Sequence, residues 1–228
     1  MGEFMGTVVI SLGGSILISD DADTAFLQQL ATLLEKISTS YKLYIVVGGG
    51  RTARIYINKG RELGFSEEVL DEFGIAITRV NAKMLAQIVT GANIDIPVTT
   101  DAAAKLKSDI VVMGGTTPGH STDLVGAELA EKVSADRYII ATNVDGIYDK
   151  DPNKHADAKQ FKEIAIDALI QMYGTKWDAA GKNVVIDGPA LKIIKQAKLS
   201  TFVVNGARLN DLGNALSGSA FKGTVITQ

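Results

Sequence analysis

The sequence predicts an α/β protein built on a mainly parallel sheet with helices on both faces. Short runs of β-branched and aliphatic residues alternate with segments in which apolar residues recur three or four positions apart. Such alternation favours parallel strands, because each helix carries the chain back to the start of the next strand. The 228 residues contain no linker-like tract and no internal repeat. We therefore predict one domain.

Each predicted element has a local signal. The strands are apolar runs that end in turn residues, and they cover residues 7–12, 43–47, 97–99, 110–113, 138–142, 201–204 and 224–227. The helices show apolar periodicity over about residues 27–37, 50–63, 69–89, 122–133, 166–172, 189–197 and 211–216. Asp23 or Thr24 would cap the first helix, and Thr100 with Asp101 would cap a brief one. Pro189 suits the first helical position of its segment.

Composition excludes several classes of protein. The net charge of −3 argues against general affinity for nucleic acid, and the absence of cysteine excludes disulfides and thiolate metal sites. No apolar run approaches the roughly 20 residues that cross a bilayer, and no signal-peptide core is present. We expect a cytoplasmic protein. Residues 1–4 precede a second methionine and are typical of a cloning remnant, so the predicted domain covers residues 5–228.

Three glycine-bearing turns follow predicted strands. They are residues 13–15, residues 48–50 and the Gly/Thr-rich stretch 114–123. Glycine lets the backbone approach an anion closely, and a helix N-terminus supplies aligned N–H groups. In open α/β sheets the ligand crevice lies outside the carboxyl ends of the strands, where all three turns are expected. Each turn alone could be structural, but together they predict a site that holds several phosphates.

Common alternatives to this site lack their sequence signals. The chain has no G-x-x-x-x-G-K followed by Ser or Thr, and no G-x-G-x-x-G after the first strand. His120 and His155 are the only histidines and lie far apart in sequence, which disfavours a histidine-based metal centre. No set of serine, histidine and aspartate suggests a hydrolase triad, and His120 is expected to act as a hydrogen-bonding loop residue.

Four side chains near these turns are candidates for catalysis or ligand binding. Asp123 would either cap its helix or have a functional role, in which it orients hydrogen-bond donors or a magnesium-bound phosphate, and we predict the functional role. Arg54 lies one helical turn beyond the glycines of residues 48–50, so it could bind an anion or remain a solvated surface residue. In the polar loop after the 138–142 strand, Tyr148 could stack on a base and Asp151 could accept hydrogen bonds from ribose or base groups.

Five segments together resemble the amino acid kinase superfamily, and within it the uridylate (UMP) kinases of archaeal type. They are ISLGGS (residues 10–15), VVGGGRTAR (46–54), GIAITRVNA (74–82), GGTTPGHSTD (114–123) and TNVDGIYDKDP (142–152). The match spans nearly the whole chain from Met5. It implies a three-layer αβα fold, transfer of a phosphoryl group from magnesium ATP to UMP, and assembly as a homohexamer. No nucleic acid or membrane partner is implied.

The resemblance also implies roles for individual positions. On the ATP side these are Gly14, Ser15, Gly50, Arg54, Thr142, Asn143, Tyr148 and Asp151. On the UMP side they are Gly49, Asp71, Thr116, Thr117, Pro118, Gly119, His120, Ser121 and Thr122. One position departs from the pattern, because many members carry a lysine where this chain has Ser11. Lys182 and Arg54 are the candidates for the missing positive charge, and the metal ligands stay undefined.

Two other functions remain open from the sequence. The first is another small-molecule kinase of the same superfamily, acting on a carboxylate, a carbamate or an isoprenoid phosphate. The second is a non-catalytic nucleotide- or oxyanion-binding protein on the same fold, which Ser11 in place of lysine would favour.

Overall fold

The computed structural model describes residues 4–18, 24–152, 154–176 and 185–228. Its strands are β1 (Gly6–Leu12), β2 (Tyr41–Val47), β3 (Ile110–Met113), β4 (Arg137–Thr142), β5 (Glu163–Ala165), β6 (Thr201–Asn205) and β7 (Gly223–Thr227). Its helices are α1 (Gly14–Leu17), α2 (Thr24–Ser38), α3 (Gly50–Glu62), α4 (Glu67–Ile88), α5 (Thr100–Ala104), α6 (Thr122–Lys132), α7 (Ile166–Tyr173), α8 (Gly188–Gln196) and α9 (Leu209–Ser217).

The strands form one sheet in the order β3-β2-β1-β4-β6-β7-β5. Every neighbouring pair is parallel except β6 and β7, which are antiparallel. In β1, Val9 faces one apolar cluster with α6, α7 and α8, whereas Val8 and Ile10 face another with α2, α4 and α9. Alternate residues of a strand point to opposite faces, so both faces are buried. The predicted three-layer αβα fold is confirmed.

Two local predictions were wrong. Residues 97–99 form no strand, and Thr99 instead caps α5 by accepting a hydrogen bond from the N–H of Ala102 at 3.1 Å. Thr100 and Asp101 therefore lie inside that helix. Proline has no N–H to give to a sheet, which explains why the run beginning at Pro97 stays outside it. The short elements α1 and β5 were not predicted, because three or four residues are too few for a recognisable period.

At the other predicted cap, α2 begins at Thr24, and Asp23 lies outside the described residues. No helix in the described part of the chain is long and apolar enough to cross a membrane.

Strand order brings the predicted loops together. β3, β2, β1 and β4 are neighbours, so the turns that follow them meet at one edge of the sheet. A Cβ on Gly14 would lie 2.2 Å from the carbonyl oxygen of Gly48, and a Cβ on Gly50 would lie 2.6 Å from the carbonyl carbon of Gly14. Gly50 also has φ of +63°, which favours glycine. No side chain fits between these two turns, and their backbones form the floor of a cleft.

Candidate nucleotide site

A cleft of about 800 Å³ opens at the carboxyl ends of β1, β2 and β4. This volume lies within the range of small-molecule sites. The predicted residues that line it are Gly14, Ser15, Gly49, Gly50, Arg54, Asp71, His120, Ser121, Thr122, Asp123, Thr142, Asn143, Tyr148 and Asp151. Residues from five separate segments of sequence therefore share one cavity.

Four predicted residues do not line the cleft. Thr116, Thr117, Pro118 and Gly119 form the outer part of the loop between β3 and α6. The N–H of Gly119 donates to Oδ2 of Asp71 at 2.6 Å, which ties this part of the loop to α4. The loop thus lies beside the cleft and is connected to it through Asp71.

The floor of the cleft is held by a residue that sequence reasoning missed. Nδ2 of Asn81, on α4, donates to the carbonyl oxygens of Gly48 at 2.9 Å and Gly49 at 3.3 Å. Asn81 is buried. A polar residue on the apolar face of a helix was the available signal, because such a group is buried only when it has hydrogen-bond partners.

Asp123 does not cap α6, which excludes the alternative role that the sequence left open for it. Ser121 is the N-cap, with its Oγ accepting from the N–H of Leu124 at 2.9 Å. Oδ1 of Asp123 instead accepts a hydrogen bond from the hydroxyl of Ser11 at 2.6 Å. Burial, and next the negative charge of Asp187, raise the pKa of Asp123 to about 7.

Asp187 is the second carboxylate of the site and was not predicted. Its Oδ1 caps α8 by accepting from the N–H of Ala190 at 2.9 Å, and its Oδ2 accepts a hydrogen bond from the hydroxyl of Ser121. One carboxylate therefore connects the N-terminal ends of α6 and α8. Burial raises its pKa as well. The signal in the sequence was an aspartate immediately before Gly188 and Pro189, a common start of a helix.

Positive charge in the described part of the cleft comes from three side chains. Lys150 is paired with Asp157 at 2.6 Å, whereas Arg54 and Lys176 form no ion pair with any described residue. Lys182, one of the two predicted cations, lies outside the described residues. No group of three or more His, Cys, Asp or Glu side chains in the described ranges could hold a metal ion.

The loop after β4 is anchored by Asp145. Its carboxylate accepts from Nδ2 of Asn205 at 2.9 Å, from Lys222 at 2.6 Å and from Arg208 at 2.9 Å. Asn205 is the last residue of β6, Arg208 follows that strand and Lys222 precedes β7, so the anchor fixes the loop to two neighbouring strands. It holds the segment that carries Tyr148 and Asp151 at the rim of the cleft.

Comparisons with known proteins agree with this geometry. The amino acid kinase family matches residues 6–205. The uridylate kinases of Thermoplasma volcanium and Methanocaldococcus jannaschii are 44% and 42% identical, covering 97% and 96% of this chain and 98% of each relative. The crystal structure of uridylate kinase from Archaeoglobus fulgidus superposes with a TM-score of 0.86 at 40% identity, covering 98% of this chain and all of that one. The chain belongs to the amino acid kinase family.

Proposed function

We propose that this protein is a UMP kinase, which transfers the γ-phosphoryl group of ATP to UMP and releases UDP and ADP for pyrimidine nucleotide biosynthesis. The observation that carries the proposal is the match, over nearly its full length, to uridylate kinases about 40% identical. The cleft supports it, because all the residues proposed for ATP and five of the nine proposed for UMP line a single cavity.

The two nucleotides take different parts of the cleft. The turn at Gly14 and Ser15, together with Gly50 and Arg54, receives the ATP phosphates, and the loop from Thr142 to Asp151 receives adenosine. UMP lies against Gly49, Asp71 and the segment from Thr116 to Thr122. This arrangement directs the phosphate of UMP toward the γ-phosphate of ATP above the two glycine turns.

Phosphoryl transfer asks the protein mainly to align two nucleotides and to stabilise charge on the equatorial oxygens. Backbone N–H groups at the glycine turns and the guanidinium of Arg54 do both without a strong base. Asp123 orients the donors around the transferred group from its hydrogen bond with Ser11. Mg²⁺ would be held mainly by the ATP phosphates, where it would neutralise their charge, and would need no dedicated protein cage.

The protein acts as a cytoplasmic homohexamer in this proposal. The absence of cysteine suits a reducing compartment. α3, α4 and the loops that follow them expose apolar side chains to solvent: Ile55, Tyr56, Leu63, Phe65, Val80, Ile88, Ile94 and Val98. Exposed apolar side chains on two helices that pack against each other are typical of a contact between protein chains.

A coupled assay of ADP release tests the function. The purified protein with magnesium ATP is offered UMP, CMP, AMP, acetylglutamate, carbamate and isopentenyl phosphate in parallel. We expect turnover with UMP and little with the others. Comparable turnover with another acceptor would assign a different kinase of the superfamily. Nucleotide binding without turnover of any acceptor would assign the non-catalytic alternative.

A further inference from the structure

The loop between β3 and α6 is fastened to α4 by Arg79. The guanidinium of Arg79 donates from Nε to the carbonyl oxygen of Gly115 at 3.1 Å and from Nη2 to that of Thr116 at 3.0 Å. Thr78 adds a third bond, because its Oγ1 accepts from the N–H of Gly115 at 2.7 Å. A Cβ on Gly114 would lie 2.8 Å from the backbone of α4, so the loop packs directly on the helix.

Arg79 orients two consecutive peptide groups in the same direction, with both carbonyl oxygens toward its guanidinium. In a planar trans peptide the N–H points opposite to the carbonyl oxygen. Because Arg79 holds the carbonyls of Gly115 and Thr116, the N–H groups of Thr116 and Thr117 point to the other side of the loop. Neither N–H donates to an acceptor within the described residues. The loop therefore presents two adjacent unpaired donors.

The electrostatic surroundings of these donors favour a neutral acceptor. The carboxylate of Asp71 is bonded to Gly119 in the same loop, and its negative charge opposes a phosphate at this place. Uracil has a neutral edge, with a carbonyl oxygen at C4 next to an N–H at N3. The C4 carbonyl oxygen can accept from the N–H groups of the loop, and the N3 N–H can donate to a carboxylate beside them. Cytosine has an amino group at C4, which would bring donor against donor.

We infer that Arg79 is a positioning residue for base selection: by holding the carbonyls of Gly115 and Thr116 it aims the N–H groups of Thr116 and Thr117 at a carbonyl oxygen of uracil. This role rests on the proposed function, since it requires UMP as the acceptor. Arg79 itself does not touch the nucleotide. The planar guanidinium group is required, because the ammonium group of lysine cannot hold two carbonyl oxygens in a fixed geometry.

The test compares UMP with CMP in four proteins. Wild type, Arg79→Met, Arg79→Lys and Lys83→Met are assayed for kcat/KM with each acceptor, for KM of ATP and for melting temperature. Lys83 is the matched control, because it lies on the same helix and donates to the carbonyl oxygen of Ile94, away from the cleft. Competition binding supplies the CMP affinity where its turnover is too slow.

We expect Arg79→Met to lower kcat/KM for UMP by about tenfold, the equivalent of one hydrogen bond, and to leave the KM of ATP unchanged. CMP should lose much less, so the preference for UMP falls. Arg79→Lys should be intermediate and Lys83→Met normal. Equal losses for UMP and CMP, or no loss, would overturn the inference. If wild type fails to phosphorylate UMP, the proposed function itself is wrong.

Discussion

The hydroxyl of Ser11, at the end of β1, donates to the carboxylate of Asp123 in the first turn of α6, with 2.6 Å between the oxygens. Ser11 is almost fully buried. The resemblance to the amino acid kinase superfamily implies that many of its members have a lysine at the position of Ser11. A neutral donor stabilises a carboxylate less than a cation does, so burial and the charge of Asp187 prevail and the pKa of Asp123 rises to about 7.

Replacing Asp123 by asparagine should slow catalysis without unfolding the protein. The substitution keeps the size of the side chain and removes its charge, so an interaction made in the transition state is lost. We expect kcat to fall on the order of 10²-fold, or roughly 2.7 kcal/mol, with a smaller change in UMP affinity. The melting temperature at pH 8 should hold or rise, because a buried charge is removed. A near-normal kcat would show that the carboxylate is not part of the reaction.

Catalysis should depend on the ionisation of Asp123. If the carboxylate form is active, kcat rises with pH around the pKa of about 7. Asp187→Asn removes the neighbouring negative charge and keeps an oxygen that can cap α8. This variant should therefore shift the rising limb of the kcat–pH profile to lower pH. An unshifted limb would mean that Asp187 does not influence the ionisation of Asp123.

The same pKa predicts how stability changes with pH. In the unfolded chain Asp123 ionises near 3.8, and in the folded protein near 7. Between these values the folded state binds more protons than the unfolded state, so this residue makes the free energy of unfolding decrease as pH rises from about 4 to about 7. Above pH 7 its contribution is constant. Urea titrations of wild type and Asp123→Asn should show that the variant loses less stability across this interval.

The sequence predicted the features that depend on local composition. The apolar runs located β1–β4, β6 and β7, and the glycine turns located the edge of the sheet at which the cleft opens. Contacts between distant segments could not be read in this way. Asp187 lies 64 residues beyond Asp123 in sequence, and only the packing of α8 against α6 brings the two together. The pKa of about 7 for Asp123 results from that packing and from burial, and no sequence motif encodes either of them.

We expect the side chain of Arg54 to bind phosphate oxygens and not to be merely a solvated surface group. It lines the cleft, lies one turn into α3 and has no ion pair with any described residue. A planar guanidinium can hold two phosphate oxygens at once, which an ammonium cannot reproduce. Arg54→Lys should therefore lower kcat/KM noticeably with an unchanged melting temperature. Arg61→Lys, at the far end of the same helix, is the control and should be normal. Wild-type kinetics for Arg54→Lys would place Arg54 on the solvated surface.

Assembly should depend on the apolar surface of α3 and α4. Ile55, Tyr56 and Val80 are 50%, 54% and 63% exposed, and Ile88 lies on the same helix as Val80. Exposed apolar area of this extent is stabilised when a second copy of the chain covers it. Light scattering at micromolar concentration should report a hexamer. Val80→Asp places a charge in the contact and should give smaller species, whereas Gln196→Asp, on the exposed end of α8, should not. A monomeric wild type would contradict the proposed assembly. A Val80→Asp protein that remains hexameric would place the contact on another surface.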